Sequence, residues 1–149
     1  MPLIQNKKAH FDYEILERYE AGIELLGFEV KSLKKSQGSL EGAHITVRGG
    51  EAYVINMQIP AYQPKNTPKD YEPTRNRRLL LTKKQIEELD KTEGQKGLTI
   101  VPISVYNKGR KVKIEIAVVR GKKQHDKRDT EKARDWEREK GRIMRSHNK

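Results

Sequence analysis

The chain of 149 residues contains no cysteine, a single tryptophan and two phenylalanines. The missing thiols exclude disulfide frameworks, thiolate zinc sites and cysteine nucleophiles. No apolar run approaches the roughly 20 residues that a helix needs to cross a bilayer. The opening stretch, MPLIQNKKAHFDYE, has no extended apolar signal region. A soluble cytoplasmic protein is expected. Catalytic constellations are equally scarce. The histidines His10, His44, His125 and His147 stand at no metal-ligand spacing with carboxylates, and no Gly-rich phosphate loop occurs. Glu87-Glu88 reads as a solvated helix face and Arg48-Gly49-Gly50 as a hairpin turn. Neither metal, cofactor nor enzyme is expected.

What the chain has in excess is positive charge. Lys and Arg number 32 against 21 Asp and Glu, a net charge of +11. Residues 122–149 hold 11 basic and 6 acidic groups, and residues 1–121 hold 21 and 15. A basic excess in both parts points to a polyanion, because each neutralised phosphate releases counterions. Anionic membrane competes with nucleic acid for this reading. Nucleic acid is favoured, since no segment pairs a wide apolar face with a basic one.

Hydrophobic periodicity describes a mainly β domain. Phe11, Tyr13, Ile15, Tyr19, Ala21, Ile23 and Leu25 share one parity, which predicts a long strand over 11–25 with one wet face. Gly22 within it predicts a bulge or sharp bend. GFEVKSLKKSQGSL predicts a short helix. HITVRGGEAYVINMQI predicts a hairpin turning at Gly49-Gly50, with Tyr53, Ile55, Met57 and Ile59 on one face. Four of the six prolines fall between Pro60 and Pro73, so that segment reads as an extended surface loop.

LTKKQIEEL opens a second helix: Thr82 and Gln85 form a capping box, with Leu81 and Ile86 at the staple positions. Gly94 and Gly97 end it. Two further β-rich runs flank a turn at Asn107–Gly109. Five or six strands and two short helices in about 115 residues fit a small antiparallel barrel of the oligonucleotide-binding type, closed to remove its edges.

The basic clusters fall on this frame. TRNRRLLLTKK carries Arg75, Arg77, Arg78, Lys83 and Lys84, and EVKSLKK carries Lys31, Lys34 and Lys35 beside Ser32. Arg grips phosphate bidentately and stacks on bases, while Lys acts as a point charge. With Tyr62 and Tyr71 in the adjoining loop as stacking groups, the barrel reads as RNA-binding.

From Lys122 onward the only apolar residues are Ala133, Trp136, Ile143 and Met144. Burying one large apolar side chain returns about 1.5–3 kcal/mol, against roughly 1–2 kcal/mol for ordering each backbone. The tail, residues 122–149, is therefore expected to be disordered by itself. Ala133, Trp136, Lys140, Ile143 and Met144 nevertheless fall on one helical stripe. Acid-to-base pairs at i,i+3, such as Glu131–Arg134 and Asp135–Arg138, add about 0.2–0.5 kcal/mol each. Such a segment folds when a partner covers its stripe. Its own barrel is the alternative partner.

Four stretches, EAGIELLGFEVKSL, PTRNRRLLLTKKQIEEL, GKKQHDKR and REKGRIMR, resemble the small protein B family in order and spacing. These are the SsrA-binding proteins of bacterial trans-translation, and the resemblance runs from about Asn6 to His147. It implies an oligonucleotide-binding-type barrel with a tail that is disordered free and helical when bound. It implies an adaptor that binds the tRNA-like domain of transfer-messenger RNA and enters stalled ribosomes with elongation factor Tu. The tail would lie in the empty mRNA channel near the decoding centre. Glu20, Lys31 and Leu81 are implied to be RNA-facing, with Arg75, Arg77 and Arg78 beside them; Lys34 and Lys83 join the expected RNA-binding set from the basic clusters. Lys122, Lys123, His125, Asp126, Lys127 and Arg128 match the block leading to the decoding centre. Trp136, Ile143 and Met144 match the distal channel positions. The chain departs from the family pattern at His10, at Asn107 and in the Pro-rich loop. A resident ribosomal or RNA-chaperone barrel is the runner-up. An RNA-processing enzyme built on His125 and Asp126 is a remote third.

Overall fold

The computed structural model describes residues 2–63, 65 and 67–121. Among them lie seven strands and three helices: β1 (Pro2–Gln5), α1 (Lys7–Asp12), β2 (Tyr13–Ile23), α2 (Gly27–Lys34), β3 (His44–Arg48), β4 (Glu51–Ile55), β5 (Arg77–Leu80), α3 (Lys83–Glu93), β6 (Leu98–Lys108) and β7 (Lys111–Gly121). The strands form one antiparallel sheet in the order β1-β6-β7-β2-β5-β4-β3. It curls so that β3 comes against β6, and α3 packs on both. The expected mainly β antiparallel architecture is therefore present, with β1 and α1 added to what periodicity revealed; the curl brings β3 against β6 without a hydrogen-bonded ladder between them, so β3 remains an edge. Residues 11 and 12, expected as the start of the long strand, belong to α1.

Alternation puts Tyr19, Ala21 and Ile23 of β2 against Ile114 and Ile116 of β7 in the main interior core. Tyr13 and Ile15 share their parity yet pack on the opposite face, with Ala9, Val101, Ile103, Ala117 and Val119. A register shift between Ile15 and Glu17 causes this change of side. One extra residue in a strand flips everything beyond it, because side chains alternate with period two. The bulge thus sits at Leu16 and not at the expected Gly22. Gly22 instead marks a close approach: it pairs with both Leu80 and Lys113, and a Cβ there would stand 3.1 Å from Leu80 Cβ.

A second register shift, between Pro102 and Ser104 of β6, turns Val101 and Ile103 outward under α1. It also frees carbonyls that tether that helix. Asn6 donates from Nδ2 to Pro102 O at 2.9 Å, and its backbone N–H donates to Ile103 O at 2.8 Å. Its Oδ1 accepts from Ala9 N as the N-cap. Asn6→Ala removes the cap and strands a buried carbonyl, and is expected to lower stability by about 1–3 kcal/mol. The urea midpoint checks this, since the slope of the transition should not change.

The β3–β4 hairpin turns at Gly49-Gly50, both at positive φ (57° and 78°). That is what a two-residue turn matching the strand twist demands. Its expected face is corrected. Ala52 and Val54 point into the core with Met57 and Ile59, whereas Tyr53 and Ile55 point outward. Asn56, at φ 63°, resets the parity between them. Helix α3 begins with the expected box, Thr82 Oγ1 accepting from Gln85 N and Gln85 Oε1 accepting from Thr82 N. Leu81 and Ile86 both meet the core. The β6–β7 turn lies at Gly109-Arg110, beyond the expected position, because Lys108 already pairs with Lys111. At the sheet edge, Val47 N donates to Glu93 Oε1 at 3.0 Å, so a helix side chain engages a backbone donor that an edge strand would otherwise expose.

Candidate nucleic-acid interface

The strand registers align a row across the outer face from β5 to β6, with the Arg48–Glu51 pair of the β3–β4 hairpin beyond it. Arg48 pairs with Glu51, Gly22 with Leu80 and with Lys113, and Lys113 with Tyr106. Glu20 and Glu115 form the next row. Leu80 is 48% exposed, one of three large apolar side chains left open on the described surface. The LLL run thus divides: Leu79 is buried, Leu81 packs against the core, and Leu80 faces out. The leucine expected to face RNA was Leu81. Strand alternation transfers that exposure to Leu80, and Leu81 serves as the staple of α3.

The three arginines expected beside RNA part company for the same reason. Arg78 points outward and bridges Glu24 at 2.9 Å and Glu51 at 3.2 Å, which raises its pKa above the usual guanidinium value, Glu24 being the larger cause. Arg77 points inward, with its side chain wholly buried. Its guanidinium donates to Glu29 Oε2 at 2.6 Å, to Met57 O at 2.7 Å, to Pro73 O and to the Tyr71 hydroxyl. It presents nothing to an outside phosphate, so Arg77 is corrected from an RNA contact to the centre of a buried network.

Arg75, its side chain 30% exposed, donates to Glu29 Oε1 at 2.6 Å. Glu29 is itself the N3 residue of α2, reaching back to Leu26 N at 2.7 Å. Burial pushes its carboxyl up, but Arg75 and Arg77 outweigh that and hold it down to about 2.

Tyr71, expected as a free stacking group, belongs to the same network. Its hydroxyl lies 2.8 Å from both Glu29 Oε2 and Ile59 O, its one proton shared between these acceptors, and its ring meets Phe28 edge-on at 4.7 Å. Burial and Glu29 push its pKa up to about 12. The Pro-rich loop is irregular, as expected, but pinned to α2. Tyr62 remains partly open, with Lys31 Nζ 6.0 Å from its ring centroid.

Lys31 and Lys34 stand exposed on α2, and Lys83 is exposed at the first turn of α3. Ser32 between them is buried and donates to Pro60 O at 2.7 Å. Glu20 lies exposed on the outer face. Lys122, Lys123, His125, Asp126, Lys127, Arg128, Trp136, Ile143 and Met144 lie outside the described residues. The sequence reading did not single out Leu80, which the structure leaves exposed on the outer face. Strict alternation through RRLLL would have exposed Leu80 had Arg77 been assigned inward, which its charge argued against.

A curled antiparallel sheet whose outer face mixes cations, an exposed leucine and a tyrosine is the architecture of an RNA-binding protein of the oligonucleotide-binding type. The SmpB protein family model matches residues 3–146. An SsrA-binding protein of Burkholderia vietnamiensis is 47% identical over 146 residues, spanning 98% of this chain and 99% of the relative. That of Paraburkholderia xenovorans is 44% identical over the same length. A solved structure described as "tmRNA-SmpB: a journey to the center of the bacterial ribosome" superposes with a TM-score of 0.70 at 41% identity, covering 83% of this chain and 87% of the other. The chain belongs to the SmpB family.

Proposed function

We infer that this protein binds transfer-messenger RNA through its barrel and acts as the adaptor that brings it to stalled ribosomes in trans-translation. The observation that carries this is the match to the SmpB family along nearly the whole chain, on a fold shared with a ribosome-associated relative. The tRNA-like domain is the part of that RNA assigned to the barrel, with elongation factor Tu an indirect companion. The protein works by binding and carries no catalytic step of its own. Its place is the cytoplasm, where ribosomes work.

We assign the RNA face to Glu20, Arg78 and Leu80 on the outer strands, Lys31 and Lys34 on α2, Lys83 on α3, and the open side of Arg75. What supports this is their shared exposure and the mixture of cation and apolar surface that single-stranded and tRNA-like RNA engages. Residues 122–149 are assigned to the ribosome: Lys122 to Arg128 leading towards the decoding centre, with Trp136, Ile143 and Met144 in the message channel.

Titration of a labelled tRNA-like-domain RNA tests the reading. Tight binding is expected, weakening by roughly 10–10³-fold between about 50 and 200 mM salt as counterions are released. An unrelated hairpin RNA of equal length should bind more weakly. Equal affinity for both RNAs would refute it.

A further inference from the structure

Glu20 places a carboxylate on a face that must meet a polyanion, and its partners account for it. Oε2 accepts from the Tyr106 hydroxyl at 2.5 Å, and Oε1 accepts from Lys108 Nζ at 2.9 Å. Both partners belong to β6, whereas Glu20 belongs to β2, and β7 runs between them. Two strand spacings amount to about 9–10 Å. The phenol reaches Glu20 only by lying across β7 instead of standing up from the sheet. Tyr106 is half-buried in that pose.

The surroundings suit a nucleotide. Lys108 is 63% exposed beside the ring. Lys113 lies opposite Tyr106 in the register, and Leu80 continues the row, its side chain packed over Gly22 where a Cβ would stand 3.1 Å from Leu80 Cβ. Glu115, the nearest other acid, is paired with Arg18 at 3.3 Å. Hydrogen bonds from Tyr106 and Lys108 lower the Glu20 pKa, keeping it ionised as an acceptor. Burial and then Glu20 raise the Tyr106 pKa, keeping the phenol protonated as the donor. A ring held this way loses little freedom when a base settles on it.

We propose that Tyr106 and Lys108 form a nucleotide subsite for one unpaired RNA residue, whose base stacks on the phenol while its phosphate meets the ammonium, and that Glu20 is their positioning residue. The subsite rests on the RNA-binding reading above and adds to it which side chains touch the nucleotide. Glu20 acts through its two partners and not by reading the RNA itself.

Fluorescence anisotropy with the tRNA-like-domain RNA and the full chain provides the test. Tyr106→Leu keeps apolar bulk but removes the π-face, and should weaken binding roughly 5- to 150-fold, the loss of one stacked base. Tyr106→Phe keeps the ring and should lose less than about fivefold. Lys108→Gln, an exposed change that leaves the fold intact, should lower the slope of log K against log salt by about one. Glu20→Ala should weaken binding in the parent chain, yet cost less than about twofold once Tyr106→Phe and Lys108→Gln are already present.

The same cost in both backgrounds would show Glu20 contacting RNA directly and overturn the proposal. So would wild-type affinity in Tyr106→Leu, or an unchanged salt slope in Lys108→Gln. Failure of the parent chain to bind the RNA at all would instead bring down the functional reading, and the subsite with it.

Discussion

Glu29→Ala is expected to lower the unfolding free energy by about 3–5 kcal/mol and the melting temperature by roughly 10–20 °C. Removing the carboxylate leaves the Arg77 guanidinium, wholly buried, without its counter-charge. It also frees Arg75, the Tyr71 hydroxyl and the Leu26 N–H, so α2 and the Pro-rich loop lose their common anchor. Arg75 is partly exposed and can turn to water, whereas Arg77 has no such exit. A Glu29→Leu/Arg77→Met double replacement should therefore recover most of the loss, because a buried pair is worth little against apolar residues of similar size. A single variant that melts within 2 °C of the parent would show that the network is not holding the loop.

The same carboxyl predicts an acid limb of stability. Its pKa falls from an ordinary 4.5 to about 2 on folding, burial opposing the shift and the two arginines driving it. Below about pH 4.5 the unfolded chain takes up the proton while the folded one does not, so acid favours unfolding. The contribution of Glu29 is complete above that pH and should drain away as the pH falls towards about 2. Chemical denaturation at stepped pH measures it. In the Glu29→Leu/Arg77→Met variant this part of the pH dependence should vanish.

Deleting residues 129–149 is expected to abolish tagging of stalled nascent peptides while leaving affinity for the tRNA-like domain within about twofold. Every residue assigned to the RNA face of the barrel precedes Gly121, the end of β7. The deleted segment lies outside the described residues and carries Trp136, Ile143 and Met144, the positions proposed to engage the ribosome. A reconstituted translation assay on a message without a stop codon reads the tagging, and anisotropy reads the affinity. Tagging comparable to the parent chain would defeat this division of labour between barrel and tail.

The sequence by itself determined the element types from β2 onward, the α3 capping box, the Gly49-Gly50 hairpin, the excess of cations and the family. Each is written in local spacing or ordered motifs, since period-two alternation, a cap three residues from its partner and a two-residue turn need no distant information. Only the tertiary structure decided which side chains face outward. The bulge at Leu16 reverses the faces of β2, and Asn56 resets those of the chain after β4, through backbone choices that leave the hydrophobic pattern unchanged. Arg77 turns inward because Glu29, 48 positions away, offers a counter-charge within 2.6 Å. That inward turn, carried along β5 by alternation, puts Leu80 and not Leu81 on the surface. Glu20 likewise draws its meaning from β6, which is distant in sequence and two strands away in the sheet. Burying a charge is decided by the partner that meets it, and that partner is known only once the chain has folded.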